Sequence, residues 1–179
     1  MDPVIIKKGK KISLAVLTRD DAPILYRIIN DQEVHRMLSS PGKIYSLVEE
    51  YEWIDNRANV YGENVNFSIK LNENNETIGV IGINPIDRDG RGHVGYYLQR
   101  EHWNRGFMKE ALSLMIDFAF TTLNLRKLYT QVYAVNPASS RVLESNGFRK
   151  CATMERDHYV PGHGYVDSYM YELLNPNNS

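Results

Sequence analysis

The sequence predicts an α+β domain: one central, twisted, mostly antiparallel sheet of about seven strands, with helices on both faces. Three features lead there. Alternating apolar residues recur in three runs through the middle of the chain, separated by short polar turns, as in an antiparallel meander. One long run with helical periodicity then falls between two strand-like runs, which makes those strands parallel with a right-handed crossover. The 179 residues are enough for one self-sufficient core and thin for two.

Ile12, Leu14 and Val16 alternate and give the first strand. Thr18 to Asp21 reads as a capping box opening a helix over 22–29. A short helix over 31–38 follows, broken by Ser39-Ser40-Pro41-Gly42. Ser46 and Glu49 form a second capping box, starting a helix to about residue 57. The meander comprises strands over 65–71, 77–83 and 93–98. Met108, Ala111, Leu112, Met115, Phe118 and Ala119 recur at three- and four-residue steps and mark the long helix. A strand over 127–134 comes next. Asn136-Pro137 then starts a helix with proline at its first position, and Gly147 stops it. Strands over 148–158 and 165–173 close the sheet around the turn Pro161-Gly162-His163-Gly164. A single domain over 1–174 and a disordered tail over 175–179 are expected.

Composition narrows the function. Lys and Arg total 21 against 22 Asp and Glu, so the basic excess of a phosphate-neutralising nucleic-acid binder is missing. Cys151 is the lone cysteine, which excludes an internal disulfide and a multi-cysteine zinc site and suits a reducing compartment. No run approaches the ~20 apolar residues of a membrane span. The short apolar stretch near the start is no signal peptide, so a cytoplasmic protein without a membrane partner is expected. No histidine spacing suggests a metal.

A glycine before a helix lets backbone approach a ligand, and first-turn N–H groups lack intrahelical partners. Gly106, with Arg105 beside it, therefore suits a phosphate, although a plain strand-to-helix turn has the same pattern. No Lys-Ser/Thr pair follows, so a Walker nucleotide loop is not present.

The wider pattern is more specific. Gly95-Tyr96-Tyr97-Leu98, a four-residue spacer, then Trp103-Asn104-Arg105-Gly106-Phe107-Met108-Lys109-Glu110-Ala111 resembles the acetyl-CoA motif of the GNAT N-acetyltransferases. Asn136-Pro137-Ala138-Ser139-Ser140-Arg141-Val142-Leu143-Glu144-Ser145-Asn146-Gly147-Phe148 resembles the "NxxSxRVLExxGF" of their ribosomal-protein-alanine N-acetyltransferase branch (RimJ/RimL type). Gly164 to Tyr171 is similar to that branch's closing strand. The resemblance covers about Ile12 to Leu174.

It implies the GNAT fold, with the fourth and fifth expected strands splayed apart and the acetyl-pantetheine arm lying in the gap beside Tyr97 and Leu98. The pyrophosphate would rest on the backbone of Asn104, Arg105, Gly106, Phe107, Met108 and Lys109. Asn104 and Met108 depart from the usual small residues. Asparagine tolerates unusual backbone angles, and Met108 need only point its side chain away. Asn136 would touch pantetheine as well as cap its helix. Many family members carry a tyrosine where this chain has Leu143. The ribosomal-protein branch instead uses a serine at the position of Ser139, which makes Ser139 the expected proton donor to the CoA sulfur. A glutamate of that branch falls at His158, the expected base, with His93 as its rival. Tyr45 and Trp53 fall where the branch builds its acceptor wall, and Asp167 is the nearby acid.

The remaining residues read more plainly. Cys151 is expected to pack on a strand. Glu49, Glu50 and Glu52 read as a solvated helix face able to attract a cationic amine. His35, His102 and His163 read as surface or loop residues. No Cys-His or Ser-His pair stands at a nucleophile's spacing, so direct attack by the amine is expected, without an acyl-enzyme. The acceptor is a protein N-terminus, a polyamine or a small amine, and the protein a monomer or homodimer. A non-catalytic CoA-binding regulatory module is the reading from another class.

Overall fold

The structure is a computed structural model that describes residues 2–38 and 42–177. Of the expected helix break over 39–42, residues 39–41 lie outside the described residues, and Gly42 takes left-handed backbone, φ 83°. One eight-stranded sheet runs β1(Ile5–Lys8), β2(Ile12–Val16), β3(Val65–Leu71), β4(Thr77–Ile86), β5(Arg91–Leu98), β6(Lys127–Tyr133), β8(Gly164–Leu174), β7(Arg149–Val160), in that spatial order. Every pair is antiparallel except β5 with β6. The strand beyond the expected seven is β1. Its Ile5-Ile6-Lys7-Lys8 is half apolar and short, so it carries no alternation signal; pairing with β2 makes it a strand.

The helices divide between the two faces. α1(Ala22–Ile29), the one-turn α2(Gln32–His35) and α3(Leu47–Asn56) cover one face. There Leu17, Leu25, Ile28, Val34 and Ala58 bury Val80 of β4, with Trp53 and Tyr97 packed at the edge. α4(Phe107–Thr121) and α5(Pro137–Glu144) belong to the other face. Phe107, Met108, Ala111, Leu112, Met115 and Ala119 of α4 are buried against Leu14, Ile69, Ile81 and Ile83, as their spacing predicts.

Local chemistry fixes the ends. Asp21 accepts from the Thr18 N–H and hydroxyl at 2.8 and 3.1 Å, the first expected capping box. The same carboxylate is buried and meets Lys70 Nζ at 2.7 Å and Thr77 Oγ1 at 2.5 Å, tying α1 to β3 and β4. The second box also forms, with Ser46 Oγ accepting from Glu49 N–H and Glu49 accepting from Ser46 N–H. α2 stops at His35, shorter than its expected span to 38. The fold also extends past 174. Asn175 is 4% exposed, its N–H donates to Arg126 O and its amide to Leu125 O, so the expected tail does not begin there. Cys151 is exposed on the outermost strand β7, not packed, and His102 is buried, not on the surface.

Candidate active site

β5 and β6 pair only over Arg91–Lys127, Gly92–Leu128 and His93–Tyr129. Beyond His93 they part. β5 stays with β4 as far as Leu98, while Thr130 to Tyr133 pair only with β8. The physical consequence is a V-shaped opening whose inner strand edges carry backbone donors and acceptors with no strand partner. A cleft of about 610 Å³ fills it, lined by β5 from His93 to Leu98 and by Thr130 to Tyr133 of β6. This is the expected splay, numbered between the fifth and sixth strands because β1 precedes the others.

At the mouth, Asn104 and Gly106 take left-handed backbone, φ 59° and 81°. Two such turns bring the chain from β5 into α4, and a β-branched residue at Gly106 would strain it. A Cβ on Gly106 would meet nothing within 4 Å, so backbone angle, not space, requires glycine. The first N–H groups of α4, on Phe107, Met108 and Lys109, have no carbonyl one turn earlier in the helix, and all three residues line the cleft. Met108 is 8% exposed, with its side chain in the core as its departure from a small residue requires. Asn104 and Gly106 line the cleft too. Arg105 does not: its guanidinium lies 3.2 Å from His102 Nδ1 and 4.9 Å from the Phe107 ring centre. Tyr97 and Leu98 line the inner wall, and the Trp103 indole donates to Leu98 O at 2.8 Å.

On the far side, Asn136 caps α5 by accepting from the Ser139 N–H at 3.2 Å, and both residues line the cleft. Ser139 Oγ lies 2.8 Å from Tyr96 Oη. Burial pushes the Tyr96 phenol up to about 12, against the smaller opposing effect of the Ser139 hydrogen bond, so it keeps its proton. Tyr96 therefore backs Ser139 as a permanent hydroxyl. The position of the familiar tyrosine, Leu143, is fully buried core. Tyr96 stands in the acetyl-CoA motif, but the resemblance assigns it no role. The signal was strand parity: Tyr96 points to the α5 face and Tyr97 to the α3 face.

His158 lines the cleft beside Tyr133, with ring centres 5.1 Å apart. Its Nδ1 is 2.8 Å from Asp157 Oδ2, which leaves Nε2 as the nitrogen not engaged by Asp157. Asp157 also accepts from Ser168 Oγ and Gln131 Nε2, two contacts that sequence alone did not suggest. The Ser168 hydrogen bond chiefly, with His158 and Gln131, holds the Asp157 carboxyl below the usual carboxylate range. A register shift between Met154 and His158 turns the strand here. Asp167 serves that bulge: its carboxylate accepts from the N–H of Arg156, a residue at φ 48°, and it lines neither cavity described here. His93 lines the cleft at the root of the V, with Nδ1 3.1 Å from Asn84 O. Burial lowers its basicity.

Tyr45 and Trp53 line a second cavity of about 430 Å³, with Glu50 and Tyr97. Tyr97 lines both cavities. Glu50, expected on a solvated face, is only 4% exposed, and its Oε1 has no hydrogen-bond partner. No group of three or more His, Cys, Asp or Glu able to hold a metal occurs among the described residues. No described helix is long and apolar enough to cross a membrane.

Residues 11–149 match the acetyltransferase (GNAT) domain, and the chain belongs to that family of N-acetyltransferases. An uncharacterized N-acetyltransferase, p20 of Bacillus licheniformis, is 33% identical over 167 residues, 92% of this chain and 93% of that protein. The crystal structure of spermidine N-acetyltransferase from Vibrio cholerae in complex with CoA and spermine is similar, with TM-score 0.83 and 21% identity over 93% of this chain and 97% of that one. The ribosomal-protein-S5-alanine acetyltransferase of Vibrio fischeri matches with TM-score 0.81 and 20% identity, over 96% and 97%.

Proposed function

We propose that this enzyme transfers an acetyl group from acetyl-CoA to a primary amine by direct attack, within the splayed cleft. The observation that carries this reading is that one cleft presents a cluster of free helix N–H groups at one end and both the Ser139 hydroxyl and His158 along its walls. The helix α4 terminus suits the pyrophosphate, and the open strand edges suit the amides of the pantetheine arm. The amine nitrogen forms its bond to the thioester carbon while the C–S bond breaks. His158 Nε2 accepts the ammonium proton. Ser139 donates to the departing sulfur and regains a proton from the nitrogen as the new amide forms, while Tyr96 Oη, 2.8 Å from Ser139 Oγ, holds that hydroxyl in place and keeps its own proton. The hydroxyl at Ser139 in place of a tyrosine at Leu143 supports the ribosomal-protein-alanine branch.

An imidazole base matches an amine that is partly neutral at pH 7. A protein N-terminus, with pKa about 7.7–8.0, fits better than an alkylammonium near ~10.4. A polyamine is the second reading, and one observation favours it: the buried, unpaired Glu50 beside Tyr97. The likeness to spermidine N-acetyltransferase accords with it. Thiol release measured across peptide N-termini, polyamines and monoamines, with product masses, tests both. Acetyl-CoA binding without transfer to any amine would overturn the catalytic reading in favour of a regulatory module.

A further inference from the structure

We propose that the cavity floored by Glu50 is a subsite for an alkylammonium group, and that the acceptor brings it there as the second positive charge of an aliphatic di- or polyamine. This rests on the acetyltransferase reading above and takes the polyamine, its second reading, as the acceptor.

Glu50 is on α3, 4% exposed, with Oε1 unpartnered. A carboxylate placed so is costly, because burial takes it out of bulk water and no protein donor reaches Oε1. Among the described residues no Lys, Arg or His forms an ion pair with it. Burial alone raises its carboxyl to about 7, so a fraction near half is ionised at neutral pH and a cation arriving there would complete the ionisation.

The walls have the complementary chemistry. Tyr45, Trp53 and Tyr97 line the cavity with Glu50, and aromatic faces attract ammonium groups. The chain itself supplies an example: Lys43 Nζ lies 4.2 Å from the centre of the Tyr45 ring and 3.6 Å from Glu49 Oε1. The charged groups around the cavity are Glu49, Glu50 and Glu52 against Lys43 and Arg57. Lys43 is held by Glu49, which leaves Glu50 and Glu52 against Arg57, a net balance of one negative charge when Glu50 is ionised. The position also links the cavity to the chemistry. Tyr97 lines both cavities, which places the two side by side, and the proposal has an amine seated by Glu50 direct its other end toward the cleft along a methylene chain. Monoamines lack the second charge, and a peptide N-terminus carries it only on a side chain.

Calorimetry with spermidine and n-butylamine as probes, on the full chain and its Glu50→Gln and Glu50→Asp variants, tests the assignment. Spermidine is expected to bind the parent protein at least 10-fold more tightly than butylamine. Glu50→Gln should weaken spermidine about 10- to 100-fold and leave butylamine unchanged, the loss of one charge-assisted hydrogen bond. Glu50→Asp should recover part of the loss. Because Glu50→Gln removes a buried charge, failure to fold is not expected, and thermal melting checks it. Equal spermidine affinity in parent and Glu50→Gln overturns the subsite, as does no binding to the parent. The thiol-release assay separates the two readings. Transfer to peptides or monoamines but not to spermidine, at rates indifferent to Glu50→Gln, overturns the subsite and leaves the enzyme reading intact. Glu50-dependent spermidine binding with no transfer to any amine overturns the enzyme reading and, with it, the acceptor role assigned to the subsite.

Discussion

Replacing Glu50 with glutamine should stabilise the protein, and by an amount that depends on pH. The Glu50 carboxyl rises from its usual 4.5 to about 7, through burial. At 1.36 kcal/mol per unit, ionising it in the folded state costs about 3 kcal/mol more than in the unfolded chain. The sign follows from proton counts. Between pH 4.5 and 7 the folded state binds more protons at Glu50 than the unfolded state, so stability falls as pH rises through that window. Below it the carboxyl is neutral in both states, and above about 7 it is charged in both, so the penalty is absent at the low end and full at the high end. Glutamine has nearly the same shape and no charge. Urea unfolding at pH 4.5 and pH 8 should therefore show Glu50→Gln within about 1 kcal/mol of the parent at the lower pH and about 3 kcal/mol more stable at the higher. In a chain of this size that corresponds to roughly 6–12 °C in Tm at pH 8. An unfolding difference that is the same at both pH values would refute the claim that Glu50 is buried and unpaired in the free protein.

Further outcomes follow from the cleft. Ser139→Ala should lower kcat about 10- to 100-fold with little change in the acetyl-CoA KM, because its proton matters only as the C–S bond breaks; a structural serine would instead lower Tm and spare turnover. Tyr96→Phe should lower kcat less, about 3- to 10-fold, since Ser139 keeps its own hydroxyl while losing the partner 2.8 Å away. Gly106→Val should weaken CoA binding in calorimetry by about 10-fold or more while costing only the ~1–3 kcal/mol of a strained left-handed residue; unchanged affinity would remove the phosphate role from this loop. The acidic limb of the kcat/KM profile should vanish in His158→Ala and persist in His93→Ala, and the reverse result would move the base to His93. Asp157→Asn, which removes the carboxylate bonded to His158 Nδ1 at 2.8 Å, should lower kcat/KM without abolishing CoA binding.

Local pattern determined most of the fold. Two capping boxes, the α4 stripe, the Asn136-Pro137 start and the meander all involve residues within a turn or two of one another, and the structure contains each at about its expected position. The parallel crossover was legible too, because a helix between two strands of one sheet leaves little choice of geometry. The turn into α4 was legible for a similar reason: left-handed angles at Asn104 and Gly106 are properties of single residues. Long-range pairing was not. β1 has no alternation of its own and exists because β2 offers it an edge, and Asn175 belongs to the fold only because Arg126 and Leu125 accept its protons. The site divides along the same line. Ser139, His158 and the α4 amides were named through the resemblance to the family's motifs, but Tyr96 reaches Ser139 across 43 residues, and Gln131 and Ser168 reach Asp157 from two other strands. Asp167 was expected in the acceptor site and instead ties down a bulge, because a carboxylate's partner is decided by which backbone N–H the fold leaves open nearby. Glu50 shows the limit most clearly. Between Glu49 and Glu52 it reads as one more charge on a wet helix face, and only the packing of α3 against Tyr97 and the sheet removes its water; burial depends on what lies across the interface, which no local pattern contains.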